Sequence, residues 1–165
     1  MMTRLVSLRS EPDEEQKLTV AELKKIAIDL LSRRDQSCVE LKQKLQQKGG
    51  ALDDVVNVID WCTGQNYQSD SRYCAMLVRS KVNKGYGFAV VSQAAREQGI
   101  DRELLTQTID ELEIDWFAVA LAQYQKKFAD KPIKDFQDKQ KRMGFLQRRG
   151  FTSGQIQYAL QHQDS

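Results

Sequence analysis

Hydrophobic residues recur along the chain with the alternating three- and four-residue spacing of amphipathic helices. The first such run follows a capping-box pattern, Thr19 with Glu22 three residues later, and consists of Leu23, Ile26, Ala27, Leu30 and Leu31. Comparable runs follow as far as Leu160, and only two prolines interrupt the chain. The runs are rich in strong helix formers such as Ala, Leu, Gln, Lys, Arg and Glu. The pattern predicts an all-α protein.

Three glycines divide the helical runs at nearly equal intervals. Gly49, Gly99 and Gly150 stand 50 and 51 residues apart. Apolar residues recur at fixed offsets from them, for example Leu45, Ala95 and Leu146 before the glycines and Val55, Leu105 and Ile156 after them. Such self-similarity indicates tandem repeats, and units of this size bury a core by stacking. The pattern predicts an elongated, curved array of three tandem three-helix repeats, with bounds 19–66, 67–115 and 116–165 after a flexible leader over 1–18.

Cysteine usage and hydropathy indicate the compartment. The three cysteines, Cys38, Cys62 and Cys74, form no C-x-x-C pair, and the single histidine, His162, stands near the end of the chain. This spacing contains no recognisable zinc motif and argues against a disulfide framework. The sequence also has no run of about 18 apolar residues. We therefore expect a monomeric cytoplasmic protein with reduced thiols, no membrane segment, no metal site and no cofactor.

Charge is segregated along the chain although the formal net charge is only +2. Arg72 to Lys84 contains four cations and no acid, and Lys126 to Arg149 contains nine cations and three acids. The stretch between them, Asp101 to Asp115, contains six acids and one cation. A segregated pattern of this kind predicts a surface with a cationic side, suited to an acidic protein surface or a phosphate backbone.

The loop Lys84-Gly85-Tyr86-Gly87 is the most distinctive local motif, because two glycines flank one aromatic residue beside cationic helices. The sequence predicts a repeated cationic edge near this loop and near Gly150. We expect the partner-binding residues to be Lys81, Lys84, Tyr86, Arg142, Arg148 and Arg149. Glycines accept backbone angles that other residues resist, so we expect structural roles for Gly85, Gly87, Gly99 and Gly150.

Motifs for catalysis are absent from the sequence. There is no P-loop, no glycine-rich dinucleotide turn after a strand and no nucleophile elbow. His162 stands in a polar tail, where a solvated side chain is the simpler interpretation than a general base. The sequence therefore predicts a protein that is not an enzyme and has no catalytic residue.

Several short motifs, in their order along the chain, resemble the regulatory protein RecX family. They are Ile59-x-Trp61-Cys62, Asp70-Ser71-Arg72-Tyr73, Lys84-Gly85-Tyr86-Gly87, Gln98-Gly99-Ile100 and Ile114-Asp115-Trp116. The resemblance extends from about Ile26 to the end of the chain. It implies tandem three-helix repeats and a protein that binds the RecA recombinase filament on single-stranded DNA. Such a protein would lie in the filament groove and inhibit filament growth, ATP hydrolysis, strand exchange and co-protease activity, and so modulate DNA repair, recombination and the SOS response.

The chain also departs from the family pattern. Val90-Val91 and Ala94-Ala95 stand where the family commonly has Arg-Ile and Glu-Leu, and Gln68-Ser69 stands where Leu-Asp is expected.

Two other functions stay open at this point. A direct nucleic-acid-binding protein would use the helices around Lys81–Lys84 and Lys139–Arg149 to contact phosphates, and a weak DNA contact is also compatible with the RecA hypothesis. A helical scaffold for an unrelated partner would bind neither RecA nor DNA.

Overall fold

The computed structural model describes residues 17–162, which form nine α-helices and no strand. Their bounds are α1 Val20–Arg33, α2 Cys38–Gln47, α3 Leu52–Gly64, α4 Asp70–Asn83, α5 Phe88–Glu97, α6 Arg102–Glu111, α7 Trp116–Phe128, α8 Phe136–Arg148 and α9 Ser153–Gln161. Consecutive trios of helices form repeat 1, repeat 2 and repeat 3. The prediction of an all-α protein built from three tandem three-helix repeats is confirmed. Residues 1–16 of the predicted leader lie outside the described residues, and the bounds and curvature expected for the array stay predictions.

Side-chain caps explain where several helices begin. Thr19 accepts a hydrogen bond from the backbone N–H of Glu22, and the Glu22 carboxylate accepts one from Thr19 N–H, which is the reciprocal capping box expected from the sequence. Thr152 and Gln155 make the same arrangement at α9. Ser69 caps α4 by accepting from the backbone N–H of Arg72. These caps satisfy backbone donors that have no partner within the helix.

The three glycines that define the sequence register end α2, α5 and α8 in the same way. Gly49, Gly99 and Gly150 all have positive φ, at 106°, 69° and 98°. In each case the N–H of the following residue donates to the carbonyl five positions earlier, from Gly50 to Leu45, from Ile100 to Ala95 and from Phe151 to Leu146. This is the hydrogen bonding of the Schellman motif, which requires a left-handed residue at the glycine position. The glycine spacing in the sequence therefore reflects one structural feature made three times.

The described residues form two compact units. Unit 1 comprises residues 17–34 and 39–68, and unit 2 comprises residues 35–38 and 69–162. The buried apolar residues of unit 1 come from all three helices of repeat 1, and they are Leu23, Ala27, Leu41, Leu45, Val55, Val58, Ile59 and Cys62. Each of the three helices therefore contributes an apolar face to the interior of unit 1.

Unit 2 contains repeats 2 and 3, each with its own hydrophobic core. Tyr73, Val78, Val91 and Leu105 are central to the core of repeat 2. The core of repeat 3 is formed by Ala120, Tyr124, Leu146, Phe151, Ile156 and Ala159. The two repeats also contact each other through aromatic side chains, because the rings of Phe88 and Trp116 pack edge to face with centroids 5.9 Å apart.

Candidate partner-binding surface

The loop between α4 and α5 is held in one conformation by its own backbone. Gly85 has a φ of 83° and ends α4 with a Schellman motif. Its N–H donates to the Val82 carbonyl at 2.9 Å, and the Tyr86 N–H donates to the Lys81 carbonyl at 3.0 Å. A Cβ on Gly85 would lie 1.9 Å from Oε1 of Gln123, so a side chain at this position would displace the Gln123 amide.

The same loop packs directly on the connection between α8 and α9. The Gly87 N–H donates to the Arg149 carbonyl at 2.7 Å, and the Ala89 N–H donates to the Gly150 carbonyl at 3.2 Å. A Cβ added to Gly87 would lie 2.5 Å from the Gly150 carbonyl oxygen, and one added to Gly150 would lie 2.8 Å from the Val90 nitrogen. The close approach of two backbones therefore depends on glycine at both positions, and it joins repeat 2 to repeat 3.

The Arg149 side chain closes this contact. Its guanidinium carbon lies 4.3 Å from the centroid of the Tyr86 ring and 5.7 Å from that of Phe145. Nη2 donates a hydrogen bond to the Lys84 carbonyl at 2.8 Å. Nε is buried and has no hydrogen-bond partner among the described residues. Arg149 therefore stacks on the glycine-framed tyrosine and ties its loop to α8.

Exposed cations surround this stack. Lys84 and Arg148 are exposed, whereas Lys81 is half-buried with Nζ 5.4 Å from the Tyr86 centroid. We call Lys81, Lys84, Tyr86, Arg148 and Arg149 the basic junction. Five of the six predicted partner-binding residues thus lie together, although the sequence separates them into two groups more than 60 residues apart.

A groove of about 380 Å³ lies beside the basic junction, between α5 and the end of α8. Its lining includes Lys81, Val90, Ala94, Glu97, Gln147 and Arg148. Val90 and Ala94 are two of the positions at which the chain departs from the family pattern. The groove wall is therefore apolar at both of these positions.

Arg142 does not belong to this surface, which corrects the expectation that it faces a partner. Its side chain is 3% exposed. Nη1 donates to Tyr124 Oη and to the Lys131 carbonyl, both at 2.8 Å, and Nη2 donates to the Pro132 carbonyl at 3.2 Å. The guanidinium also pairs with Asp138 at 3.1 Å. The side chain turns inward because the core of repeat 3 and the α7–α8 loop offer acceptors for its donors.

The local electrostatics of this network favour the charged forms. Desolvation lowers the pKa of Arg142, but its hydrogen bonds to Tyr124 and Asp138 outweigh that effect, and the net shift of the pKa is upward. The hydrogen bond from the Lys134 backbone N–H, followed by the bond and charge of Arg142, holds the pKa of Asp138 below its ordinary value. Arg142 is therefore a charged residue that stabilises a loop from within.

Sequence reasoning missed two residues that support the basic junction. Gln123 is 9% exposed, and its amide lies against Gly85. Phe145 in α8 stands four residues before Arg149, the residue that follows the helix, and lies under its guanidinium. The four-residue helical spacing between Phe145 and Arg149 was a usable signal for that pair, whereas no local pattern connects Gln123 with Gly85.

The cysteines and the histidine lie apart from the basic junction. Cys38, Cys62 and Cys74 form no disulfide within residues 17–162, and burial raises the pKa of both Cys62 and Cys74. The His162 ring stacks on Tyr158 at 4.1 Å. Within residues 17–162 no group of three or more His, Cys, Asp or Glu side chains is placed to hold a metal ion. None of the helices in that range is long and apolar enough to cross a membrane.

Comparison with known proteins identifies the family. Family models for the first, second and third three-helix domains of RecX match residues 24–62, 69–109 and 113–160. Regulatory protein RecX of Vibrio parahaemolyticus is 38% identical over 86% of this chain and 91% of its own length. The protein of the same name from Pseudomonas entomophila is 32% identical over 88% of this chain and 94% of its own.

Solved structures agree with this assignment at the level of the fold. The crystal structure of RecX from Lactobacillus salivarius matches with a TM-score of 0.74 at 19% identity, covering 88% of this chain and 96% of that one. A second crystal structure, of a regulatory protein RecX, matches with a TM-score of 0.69 at 21% identity, covering 83% of this chain and 72% of that one. The chain belongs to the RecX family of regulatory proteins.

Proposed function

We propose that this protein is a non-enzymatic regulator that binds the RecA filament on single-stranded DNA. It inhibits filament growth, ATP hydrolysis, strand exchange and co-protease activity, and it thereby modulates DNA repair and recombination. Membership of the RecX family supports this proposal. The observation that carries it is the basic junction, where Lys81, Lys84 and Arg148 surround the Arg149–Tyr86 stack.

The junction suits recognition of a protein polymer because its backbone is already ordered. The hydrogen bonds from Gly87 and Ala89 to the next repeat hold the loop, so little conformational freedom remains to be lost on binding. Contacts from more than one repeat to neighbouring filament subunits would add avidity. Preferential binding to one filament conformation would shift filament assembly and the ATPase cycle.

Direct binding to DNA is the competing function, and charge counting makes it the weaker one. Each phosphate neutralised on duplex DNA contributes about −0.9 to the slope of log affinity against log salt concentration. Apart from Arg142 and Arg149, the helices around Lys81–Lys84 and Lys139–Arg149 offer Lys81, Lys84, Lys139, Lys141 and Arg148, which would give a slope of at most about −4.5. We therefore expect weak binding to bare DNA at physiological salt.

Titration of RecA ATPase activity on single-stranded DNA tests the proposal. We expect the wild-type protein to inhibit at well below one molecule per RecA, because blocking a growing filament end stops further addition. The double variant Lys84→Glu and Arg148→Glu should need an inhibitory concentration about ten-fold higher, because both exposed charges are reversed. The fold should survive, since both side chains lie in solvent.

The double variant Lys42→Glu and Arg102→Glu is the matched control. It makes the same change in net charge at two exposed positions on α2 and α6, and it should inhibit like the wild type. An equimolar wild-type protein that leaves both ATPase rate and filament length unchanged would refute the proposal. Equal loss of inhibition in the two double variants would remove the basic junction from it.

A further inference from the structure

One side of α8 carries a row of residues that the basic junction does not include, and all of them are exposed except Met143, which is half-buried against the core of repeat 3. Phe136, Gln140, Met143 and Gln147 stand at positions i, i+4, i+7 and i+11 of the helix, which places them on one side. We call these four residues the α8 row. At 1.5 Å per residue the row is about 16 Å long.

Phe136 begins the row and is 74% exposed, the highest value among the exposed large hydrophobic residues of the described chain. Its exposure does not come from a loosely held chain. The Asp135 side chain caps α8 by accepting from Asp138 N–H at 2.8 Å, and Lys134 N–H donates to the Asp138 carboxylate at 3.1 Å. Arg142, which is buried in repeat 3, donates hydrogen bonds to the carbonyls of Lys131 and Pro132. The ring is therefore presented to solvent by a well-bonded turn.

The flanks of the row are positively charged. Lys139, Lys141 and Arg148 are exposed cations of α8. The only acidic residue of the helix, Asp138, is paired with Arg142 and with the Lys134 N–H. The solvent-facing side of α8 thus carries three positive charges and no acidic residue.

Two grooves with mixed polar and apolar linings adjoin the middle and the C-terminal end of the row. Lys139, Gln140 and Met143 form a groove of about 310 Å³ with α9, where Leu160 supplies a second apolar side chain. Gln147 lines the groove of about 380 Å³ that contains Val90 and Ala94. The apolar side chains of the row, Phe136 and Met143, therefore lie beside exposed cations of α8.

We propose that the α8 row is a docking surface for an acidic protein segment that carries at least one large apolar side chain. The apolar side chain contacts Phe136 and Met143, and the carboxylates face Lys139 and Lys141. A phosphate backbone fits less well, because the row itself contains no cation and two of its four residues are apolar. This inference goes beyond the proposed function, which uses the basic junction, and it does not depend on RecA.

Fluorescence anisotropy with the full chain and three labelled probes tests the proposal. The first probe is a peptide of about 15 residues of Glu, Ala, Leu and Phe, with its Leu and Phe at helical spacing. In the second, Gln replaces each Leu and Phe. The third is an oligothymidylate of the same charge. We expect the first probe to bind at least about ten-fold more tightly than the other two.

Variants then locate the binding on α8. Phe136→Ala should weaken binding of the first probe about ten-fold, and Lys139→Glu should weaken it several-fold. Both residues are exposed, so neither change removes a core contact. Phe117→Ala is the control, because it removes an aromatic ring that is 45% exposed on α7, where it packs edge to face on Tyr158, and it should bind the probe like the wild type.

Each alternative result overturns the proposal. Equal binding of the oligothymidylate would make this a phosphate-contacting face, and equal binding of the Gln peptide would remove the apolar contact. Unchanged binding in Phe136→Ala, or no saturable binding of the first probe, would leave no docking surface at the row. The anisotropy assay contains no RecA filament, so a negative result in it leaves the RecA proposal intact. A failure to inhibit the RecA ATPase likewise leaves the proposed docking surface on α8 intact.

Discussion

The α4–α5 loop and the α7–α8 loop occupy the same place in repeats 2 and 3, between the first and second helices, and they are stabilised in different ways. The first is short and packs its backbone on the α8–α9 connection through Gly87 and Gly150. The second, between Phe128 and Phe136, is longer, and its carbonyls are satisfied by the buried guanidinium of Arg142.

This difference assigns different roles to cations that look alike in the sequence. Where backbone packing holds the loop, the neighbouring Lys84 side chain stays in solvent and is available to a partner. Where the Arg142 side chain holds the α7–α8 loop, its guanidinium is buried and bonds to acceptors of the protein itself, because a buried guanidinium needs acceptors for its donors. Lys84 and Arg142 therefore differ in exposure although both are cations close to an interhelical loop.

Removing the Arg142 side chain, which stabilises the α7–α8 loop, should have the largest effect. Arg142→Ala removes the hydrogen bonds that its guanidinium donates to the Tyr124 hydroxyl and to the carbonyls of Lys131 and Pro132. We expect the free energy of unfolding, measured by urea denaturation, to fall by about 3 kcal/mol. Arg148→Ala, an exposed position in the same helix, should change it by less than about 0.5 kcal/mol. Equal effects of the two substitutions would show that Arg142 does not stabilise the α7–α8 loop.

Disturbing the backbone contact should have the next largest effect. Gly87→Ala places a Cβ 2.5 Å from the Gly150 carbonyl oxygen, so the two backbones must separate. We expect a loss of about 2 kcal/mol in the free energy of unfolding and faster hydrogen exchange of the Ala89 amide. Gly154→Ala in α9 is the control, because a Cβ there meets no atom within 4 Å, and it should stabilise the protein by about 0.5 kcal/mol. Destabilisation by Gly154→Ala as large as that by Gly87→Ala would contradict the close-approach argument.

Protonation of Asp138, which pairs with Arg142, should have the smallest effect. The pKa of Asp138 is lower in the folded protein than its ordinary value, chiefly because of the Lys134 N–H bond and then because of Arg142. Its contribution to stability is therefore fully present above the ordinary carboxyl pKa and is lost as the pH falls through the lowered value. Denaturation between pH 7 and pH 2 should show a smaller loss of stability in Asp138→Asn than in the wild type. The same acid sensitivity in both proteins would exclude this contribution.

The sequence was sufficient for features that depend on near neighbours. The Thr19–Glu22 capping box and the glycine at the end of α5 involve residues within about one helical turn, so their patterns could be interpreted locally. The Lys84–Gly87 motif likewise lies where five of the six residues predicted to bind a partner come together. It did not indicate that Arg142, in the same basic stretch as Arg148, turns inward.

The sequence by itself determined the helices, their register and the three-fold repetition, because helix periodicity and Schellman glycines are properties of short segments. Only the tertiary structure decided which cationic side chains reach solvent and which make contacts inside the protein. The Arg149 stack on Tyr86 and the Arg142 bond to Tyr124 join residues that are far apart in the chain. Whether a guanidinium turns inward depends on acceptors and rings supplied by other helices, and only the packed protein brings them within reach.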